Sequence, residues 1–450
     1  MTTPHVTSAA STTRGASRAP RLGERVRQLR VTAGLTQSEL AGERFSKEYV
    51  SQIERGKTRP TQETIEWLAV RLGVDAAFLA NGVSTDERTR VEGALARAES
   101  LIEAQQYEDA IVEIERMRSA VEATGVAHLR VRALSSEGWA HFRVGDPRRA
   151  LKIFEVVRRE VEDEAFTDVD RAEVQFGLGA CRTKLSSVAT AVSLFDEALK
   201  LAEHSGLPCD PLRSRILFWR ARARERQRDW EAAREDVERA LELADGLSDR
   251  RGLAHVYVQA SLIAEREGHW VRARGYAERA KAIFEELSDE LHVGLMLNNL
   301  GGLQFLLGKP DDAIELLKRS FAVALELGED VEAGRAVSSL AQVHLRTGNP
   351  ELAEEQAMQA LKLLNDRADQ SDEIGNAQLV LGRALLDQGR LEDAEQALEQ
   401  AESTLALLES ASHVAAAWVA RGDLAQARGD DAAAATLYKR AAEALQDFRF

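Results

Sequence analysis

An internal repeat constrains this chain more than any other feature of its sequence. From about residue 86, a short turn recurs every 40 to 42 residues, at Gln105, Gly145, Ser186, Arg228, Gly268, Gly308, Gly348, Gly389 and Gly429. Alanine stands five residues after each of these turns, and a small residue stands seven residues before each. Small side chains at these spacings allow two antiparallel helices to approach closely, so the repeat predicts nine stacked helix pairs.

This series of two small residues, a turn glycine and an alanine resembles the tetratricopeptide repeat, and the resemblance covers residues 87–450. The period exceeds the ~34 residues usual in that family, which indicates helices of about 17 residues each. Three of the turns, at Gln105, Ser186 and Arg228, lack the glycine. The resemblance implies an all-α fold, in which a right-handed superhelical solenoid of helix pairs lines a concave groove with its first helices.

Residues 21–80 precede the repeats and follow the pattern of five short helices. In the second helix, Thr36 and Glu39 carry the capping-box signature. The third begins at Ser46, a good N-cap, and Val50 and Ile53 would face inward. Its other face is polar. A short polar-faced helix that a preceding helix supports is what the major groove of DNA admits.

The stretch from Gly34 to Pro60, GLTQSELAGERFSKEYVSQIERGKTRP, resembles the Cro-like (XRE-type) helix-turn-helix family. The resemblance implies an interior ion pair between Arg30 and Glu54. It also implies a set of DNA-contacting residues: Gln37, Ser46, Lys47, Glu48, Tyr49, Ser51, Gln52, Lys57 and Arg59. Within this set, Gln37 and Ser46 would bind phosphate, whereas Lys47, Glu48 and Gln52 would face base edges. The segment between Leu40 and Val50 is one residue shorter than is usual and lacks the customary glycine, so Gly42 or Arg44 would form the turn.

The charge distribution agrees with this division of the chain. Residues 1–74 hold 12 Lys/Arg and 7 Asp/Glu, a net charge of +5, whereas residues 75–450 hold 47 and 67, a net charge of −20. A basic module on an acidic body suits a front end that meets a polyanion such as double-stranded DNA. We expect residues 1–20, rich in Ser, Thr and Ala, to be a disordered tail and residues 81–86 to be a linker.

Several function classes find no support in the sequence. The two cysteines, Cys181 and Cys209, allow neither a metal-ligand pattern nor a disulfide framework. No apolar run approaches the ~20 residues of a membrane span, and the N-terminus has no apolar signal core. No catalytic motif is complete. We therefore expect a protein that is not an enzyme, needs no cofactor or metal, and lies in the cytoplasm with the nucleoid.

The groove predicted for the repeats has an unusual lining. Counting along the first helix of each pair places basic, aromatic and amide side chains there: Trp139, Arg143, Phe176, Arg215, Phe218, Arg222, Arg226, His255, Asn298, Phe305, Arg335, Gln342, Arg346 and Asn376. Arginine suits carboxylates and phosphates, and amide side chains suit a peptide backbone. Two interpretations stay open. The groove binds an anionic ligand such as a short peptide, or these arginines pair with glutamates of neighbouring helices and bind nothing.

A Cro-like module followed by a long repeat array resembles the RRNPP group of bacterial peptide-receptor regulators. The resemblance implies a homodimer that binds an operator, with a peptide in the groove controlling this binding allosterically. The alternative is a DNA-tethered scaffold whose repeats bind a partner protein. The last repeat leaves apolar side chains that suit a dimer interface or a cap: Leu437, Tyr438, Leu445, Phe448 and Phe450.

Overall fold

The computed structural model describes residues 21–82, 84–244, 246, 249–364, 370–408 and 411–446. Every regular element within these ranges is a helix, which confirms the predicted all-α fold. The predicted tail, as well as Phe448 and Phe450, lies outside the described residues. The chain divides into two compact units, Met1–Pro208 and Cys209–Phe450.

Five short helices open the first compact unit: α1 (Leu22–Thr32), α2 (Gln37–Ala41), α3 (Lys47–Glu54), α4 (Gln62–Leu72) and α5 (Ala76–Asn81). They enclose a small core of their own, in which Val26, Leu40, Val50 and Leu79 are fully buried. Thr36 caps α2 through the predicted reciprocal pair of hydrogen bonds with Glu39. The helix-turn-helix part of the fold is therefore built on the expected apolar positions.

Three helix pairs complete the first compact unit: α6 (Thr85–Glu103) with α7 (Tyr107–Thr124), α8 (Ala127–Val144) with α9 (Pro147–Glu160), and α10 (Asp168–Lys184) with α11 (Val188–His204). Each helix packs against the next one along the chain, and α8 also contacts the first helices of the pairs before and after it. The first helices therefore share one face of the stack, as in tetratricopeptide repeats.

Six further pairs form the second compact unit: α12 (Asp210–Arg226) with α13 (Trp230–Ala244), α14 (Arg250–Arg266) with α15 (Trp270–Glu286), α16 (Glu290–Leu306) with α17 (Pro310–Leu327), α18 (Asp330–Arg346) with α19 (Pro350–Leu364), α20 (Ser371–Asp387) with α21 (Leu391–Ala406), and α22 (Ala411–Ala427) with α23 (Asp431–Gln446). The described residues thus contain the nine predicted helix pairs, with the predicted lengths of about 17 residues.

The turn inside each pair requires a left-handed backbone. All six turn glycines have a positive φ, between +75° and +97°. Gln105, Ser186 and Arg228 adopt the same conformation, with φ values of 62°, 60° and 61°. A side chain in this region costs about 1–2 kcal/mol relative to the right-handed form. The fold therefore imposes its turn even where the sequence offers no glycine.

The small residues of the repeat make room for large side chains on the second helix. A Cβ added to Gly301 would lie 2.6 Å from Leu317, and one added to Gly382 would lie 2.5 Å from Leu398. The alanines five residues after the turns are buried, and Ala191, Ala273 and Ala353 are fully inaccessible to solvent. Close helix packing is therefore the physical basis of the repeat pattern.

The last described pair ends with a partly exposed apolar face. Leu445 is 48% exposed on α23, whereas Tyr438 packs towards α22 and its hydroxyl donates to Asp423 at 2.7 Å. Tyr438, one of the side chains predicted for this face, therefore packs within its own helix pair.

Candidate nucleic-acid interface and ligand groove

The third helix, α3, presents a polar face above a buried one. The Ser46 hydroxyl accepts from the Tyr49 backbone N–H at 3.1 Å and caps the helix, as predicted. Val50 and Ile53 are 0% and 2% exposed. On the other side, the side chains of Lys47, Glu48 and Gln52 are exposed, while that of Ser51 is half-buried. This face is free to meet a duplex.

An ion pair joins α1 to α3. The Arg30 guanidinium donates to both Glu54 carboxylate oxygens, at 2.6 and 3.2 Å. Gln37 at the start of α2 donates to the same carboxylate at 2.8 Å. Burial opposes ionisation of Glu54, but these hydrogen bonds and the Arg30 charge outweigh it and hold its pKa below the usual range. Gln37 therefore has a structural partner beside the phosphate role predicted for it.

A glycine brings α1 and α3 into contact. A Cβ on Gly23 would lie 2.3 Å from the backbone oxygen of Ile53 and 2.8 Å from that of Glu54. These distances are far below van der Waals contact, so only glycine fits at this position. A single sequence offers no signal for this requirement, because Gly23 otherwise looks like an unfavourable residue within a helix.

The turn between α2 and α3 uses Gly42. This residue ends α2 with φ 58°, a region that favours glycine. The remainder of the turn is held by aromatic contacts, since the Phe45 ring packs edge-on to Trp67 at 5.1 Å and lies 5.3 Å from the Tyr49 ring. Tyr49 is consequently half-buried, and its ring stabilises the turn beneath the predicted interface.

The residues that follow α3 extend its exposed face. Lys57 and Arg59 are both exposed, and cations at such positions suit backbone phosphates. Thr58 donates to the Gln52 side-chain oxygen at 3.0 Å, which leaves the amide N–H groups of Gln52 directed elsewhere. The exposed members of the predicted DNA-contacting set thus lie on or beside α3, whereas Tyr49 and Ser51 are half-buried and Gln37 lies on α2.

Two predicted groove residues of the first compact unit, Trp139 and Phe176, belong to an aromatic cluster. The Trp139 ring lies 5.3 Å from Phe154 and 5.2 Å from Phe176. Phe176 is only 1% exposed. Its predicted place on the ligand-binding surface is wrong, because it fills the core where α8, α9, α10 and α11 meet. Arg143, near the end of α8, is exposed.

Arg222 on α12 is the most distinctive cation of the predicted groove. Its guanidinium carbon lies 5.0 Å from the Trp219 ring and 5.8 Å from the Phe218 ring. Burial lowers the pKa of Arg222, against the raising effect of Glu225. Within the described residues it makes no ion pair. An arginine that aromatic rings desolvate and hold in place is a strong receptor for an anion, and the role of Trp219 was not predicted.

Unpaired polar groups continue along the first helices of the second compact unit. The side-chain oxygen of Asn298 on α16 and the Nε of Arg383 on α20 are buried without a hydrogen-bond partner in the described part of the chain. The Arg346 guanidinium lies 5.9 Å from the Phe305 ring. Gln342 is exposed and Asn376 is half-buried. These groups can still accept or donate to a ligand.

Other predicted groove residues already have partners inside the protein. Arg335 donates to Glu332 and to Glu373, both at 2.9 Å. The His255 ring lies 5.2 Å from His292 and 5.5 Å from Phe284. Arg215 and Arg226 are exposed and also interact within the protein. The interpretation that the arginines pair with glutamates thus holds for Arg335 but not for Arg222.

Across the described helices, none is long and apolar enough to cross a membrane. The same residues contain no group of three or more His, Cys, Asp and Glu side chains that could hold a metal ion. Cys181 and Cys209 are both buried, and burial raises the pKa of Cys181 to about 12. This thiol is therefore unreactive.

Known protein families match both the five short helices and the helix pairs that follow them. The helix-turn-helix domain family matches residues 21–81. Tetratricopeptide-repeat families match residues 292–366, as well as 136–208, 188–248, 340–406 and 379–447. The HTH-type transcriptional regulator DdrOP3 of Deinococcus deserti is 41% identical over 64 residues, which are 14% of this chain and 50% of that protein. The chain thus matches about half the length of this relative.

Solved structures resemble the fold at low sequence identity. The apo form of RapI has a TM-score of 0.64 and is 14% identical, covering 80% of this chain and 98% of its own. The apo form of the quorum sensor NprR from B. thuringiensis has a TM-score of 0.61 and is 12% identical, covering 79% of this chain and 99% of its own. At such identities the likeness concerns the fold alone.

Proposed function

Because this chain carries a helix-turn-helix domain followed by tetratricopeptide repeats, we propose that it is a sequence-specific transcriptional regulator controlled by a ligand in its repeats. The polar face of α3, held against α1 by the Arg30–Glu54 ion pair, supports this proposal most directly. DNA is the partner that such a face fits. The protein would work in the cytoplasm, associated with the nucleoid.

The proposed mode of DNA binding uses a homodimer. Two copies of α3 enter successive major grooves, ~34 Å apart, on a near-palindromic operator. Lys47, Glu48 and Gln52 face base edges, whereas Ser46, Lys57 and Arg59 contact phosphate. The phosphate contacts make the affinity fall with rising salt, and the base contacts select the sequence.

Two substitutions on the same surface separate these roles. In full-length protein bound to an operator duplex, Gln52→Ala is expected to relax the preference at one base pair by ~1–3 kcal/mol. Lys57→Ala is expected to weaken binding to all duplexes about equally and to reduce the salt slope by about 1. Fluorescence anisotropy with the operator and its single-base variants measures both effects. If Gln52→Ala weakens every duplex equally, α3 is not oriented as proposed.

The proposed ligand is a short peptide held partly by its carboxylate. Arg222 supports this assignment, because desolvation and the Trp219 and Phe218 rings hold its guanidinium ready for an anion. On α14, Glu265 is half-buried, and burial raises its pKa. The Glu265 carboxyl oxygens can accept a hydrogen bond from a peptide amine. The unsatisfied amide oxygen of Asn298 suits a peptide N–H.

Peptide pools test this assignment on the full-length protein. Labelled peptides with a free carboxylate are compared with the same peptides amidated at the C-terminus. We expect Arg222→Ala to weaken binding at least tenfold, whereas Arg319→Ala, an exposed control on α17, leaves it unchanged. Equal binding to amidated peptides, or insensitivity to Arg222→Ala, would refute the carboxylate site.

Control of DNA binding by the ligand requires a coupling free energy. A peptide that changes operator affinity must itself bind with a changed affinity when the operator is present, by the same factor. Titration of the peptide with and without the operator duplex measures this factor. A ratio of one would leave the DNA-binding and ligand-binding proposals standing separately, without allostery between them.

A further inference from the structure

A second groove lies on the other face of the first compact unit. It has a volume of about 730 Å³ and runs between α7 and α9, with α8 as its floor. Ile114, Leu134, Ile153 and Val156 give it an apolar interior, and Val156 is 43% exposed. The groove therefore offers partly exposed apolar surface on α8 and α9.

This groove is separate from the predicted ligand-binding surface. Successive residues of an α-helix are about 100° apart around the axis. On α8, Ala133, Leu134 and Glu137 line the new groove, whereas Trp139 and Arg143 belong to the predicted ligand face. The two sets point to opposite sides of the helix, so a ligand on one face does not occupy the other.

The α9 side of the groove is basic in an acidic part of the chain. Helix α9 alone, PRRALKIFEVVRRE, holds five Lys/Arg and two Glu, while residues 75–450 carry a net charge of −20. The lining contains five cations, Arg118, Arg130, Arg148, Arg149 and Lys152, and four carboxylates, Glu122, Glu137, Asp146 and Glu160. The excess of positive charge thus lies on the α9 side of the apolar surface, at Arg148, Arg149 and Lys152.

Internal ion pairs neutralise only two of these five cations. Arg118 donates to Glu137 at 2.8 Å, and Glu137 is 2% exposed. Arg130 donates to Glu160 at 2.7 Å. The exposed side chains of Arg148, Arg149 and Lys152 make no ion pair with any residue that the structure describes. Three cations on α9 therefore remain for an external anion, beside the exposed carboxylates of Glu122 and Asp146.

We propose that this groove docks an acidic amphipathic helix of another protein. The apolar stripe of such a helix would lie over Leu134, Ile153 and Val156, and its carboxylates would meet Arg148, Arg149 and Lys152. The apolar floor argues against a DNA backbone, which has no matching surface. The N-terminal segment 1–20 is not complementary, because it contains Arg14 and Arg18 but no acidic residue.

The test uses full-length protein and a synthetic helix of about 18 residues, the length of α7. The probe carries leucines at positions i, i+3, i+4 and i+7 and glutamates elsewhere, with a fluorescent label. We expect saturable binding that weakens at least tenfold in Arg148→Glu with Lys152→Glu, equivalent to about 1.4 kcal/mol. The matched control is Arg158→Glu with Arg159→Glu, which makes the same charge change at exposed positions of α9 outside the groove. We expect a change below twofold there.

Two further measurements distinguish docking in the apolar groove from unspecific attraction between charges. A scrambled probe with the same composition lacks the apolar stripe and is expected to bind at least tenfold more weakly. Val156→Asp is expected to weaken the striped probe while leaving the far-UV circular dichroism unchanged. Absence of binding, equal binding of the scrambled probe, equal loss in both double variants, or displacement of the probe by random duplex DNA would each overturn the proposal.

Discussion

Removal of the Arg30 guanidinium is the most informative perturbation of the DNA-binding part. The Glu54 side chain is 4% exposed and that of Arg30 is 13% exposed. In Arg30→Met, Glu54 would keep only the hydrogen bond from Gln37. Breaking a buried ion pair by removing one partner costs about 3–5 kcal/mol. Since Arg30 retains some contact with water, we expect the lower end, about 3 kcal/mol.

Hydrogen exchange in the full-length protein measures this loss locally. A loss of about 3 kcal/mol corresponds to roughly a hundredfold lower protection of the amides in α1 and α3. The charge-matched control is Arg27→Ala on the exposed side of α1, whose effect should stay below about 1 kcal/mol. Protection in the second compact unit should not change in either variant.

The pH dependence identifies the origin of the effect. The folded-state pKa of Glu54 is lowered, so its ionised form contributes stability above the unfolded-state pKa, about 4.3. That contribution is lost as the pH falls through the folded-state pKa. The gap between Arg30→Met and the unsubstituted protein should therefore be large at pH 7 and shrink below about pH 4. A variant with full protection at pH 7, or a gap independent of pH, would refute the reasoning.

Four further substitutions test the packing and ion-pair arguments. Gly23→Ala would place a Cβ 2.3 Å from a backbone oxygen of α3 and should cost at least 1–3 kcal/mol and weaken operator binding in fluorescence anisotropy. Gly93→Ala, with open space around its Cβ, should instead stabilise α6 by about 1 kcal/mol. Gln105→Gly should relieve the left-handed turn at φ 62° and raise the protection of α6 and α7 by about 1 kcal/mol. Asp236→Ala would remove the carboxylate to which the buried Arg220 guanidinium donates at 2.6 Å and should lower the protection of α12 and α13 by about 3 kcal/mol, as hydrogen exchange would show.

The helix pairs could be predicted from the sequence because their packing rule is local and repeated. A small residue before the turn lets the second helix approach closely, since a Cβ on Gly301 would lie 2.6 Å from Leu317 and 3.3 Å from the backbone oxygen of Ala313. Nine repetitions of one rule make a chance pattern improbable. The turns at Gln105 and Arg228 adopt the same left-handed backbone as the glycine turns, although neither residue type indicates this conformation.

The groove was harder to predict because side-chain partners are not periodic. Counting residues along the first helix of each pair assigned both Arg222 and Arg335 to the groove lining. Only the structure shows that Arg335 binds two glutamates, while Arg222 stacks on Trp219. Phe176 was misplaced for a similar reason, since a bulky aromatic residue at a lining position can turn into the core.

Selection from a pool of random DNA duplexes by the full-length protein tests the central claim most directly. If α3 reads DNA in a dimer, sequencing of the bound duplexes should yield one enriched motif with two related half-sites ~10 base pairs apart. That motif should lose definition at one position in each half-site with Gln52→Ala. A bound pool without any enriched sequence, or one that heparin displaces as easily as it displaces random DNA, would contradict the claim that this protein reads a DNA sequence.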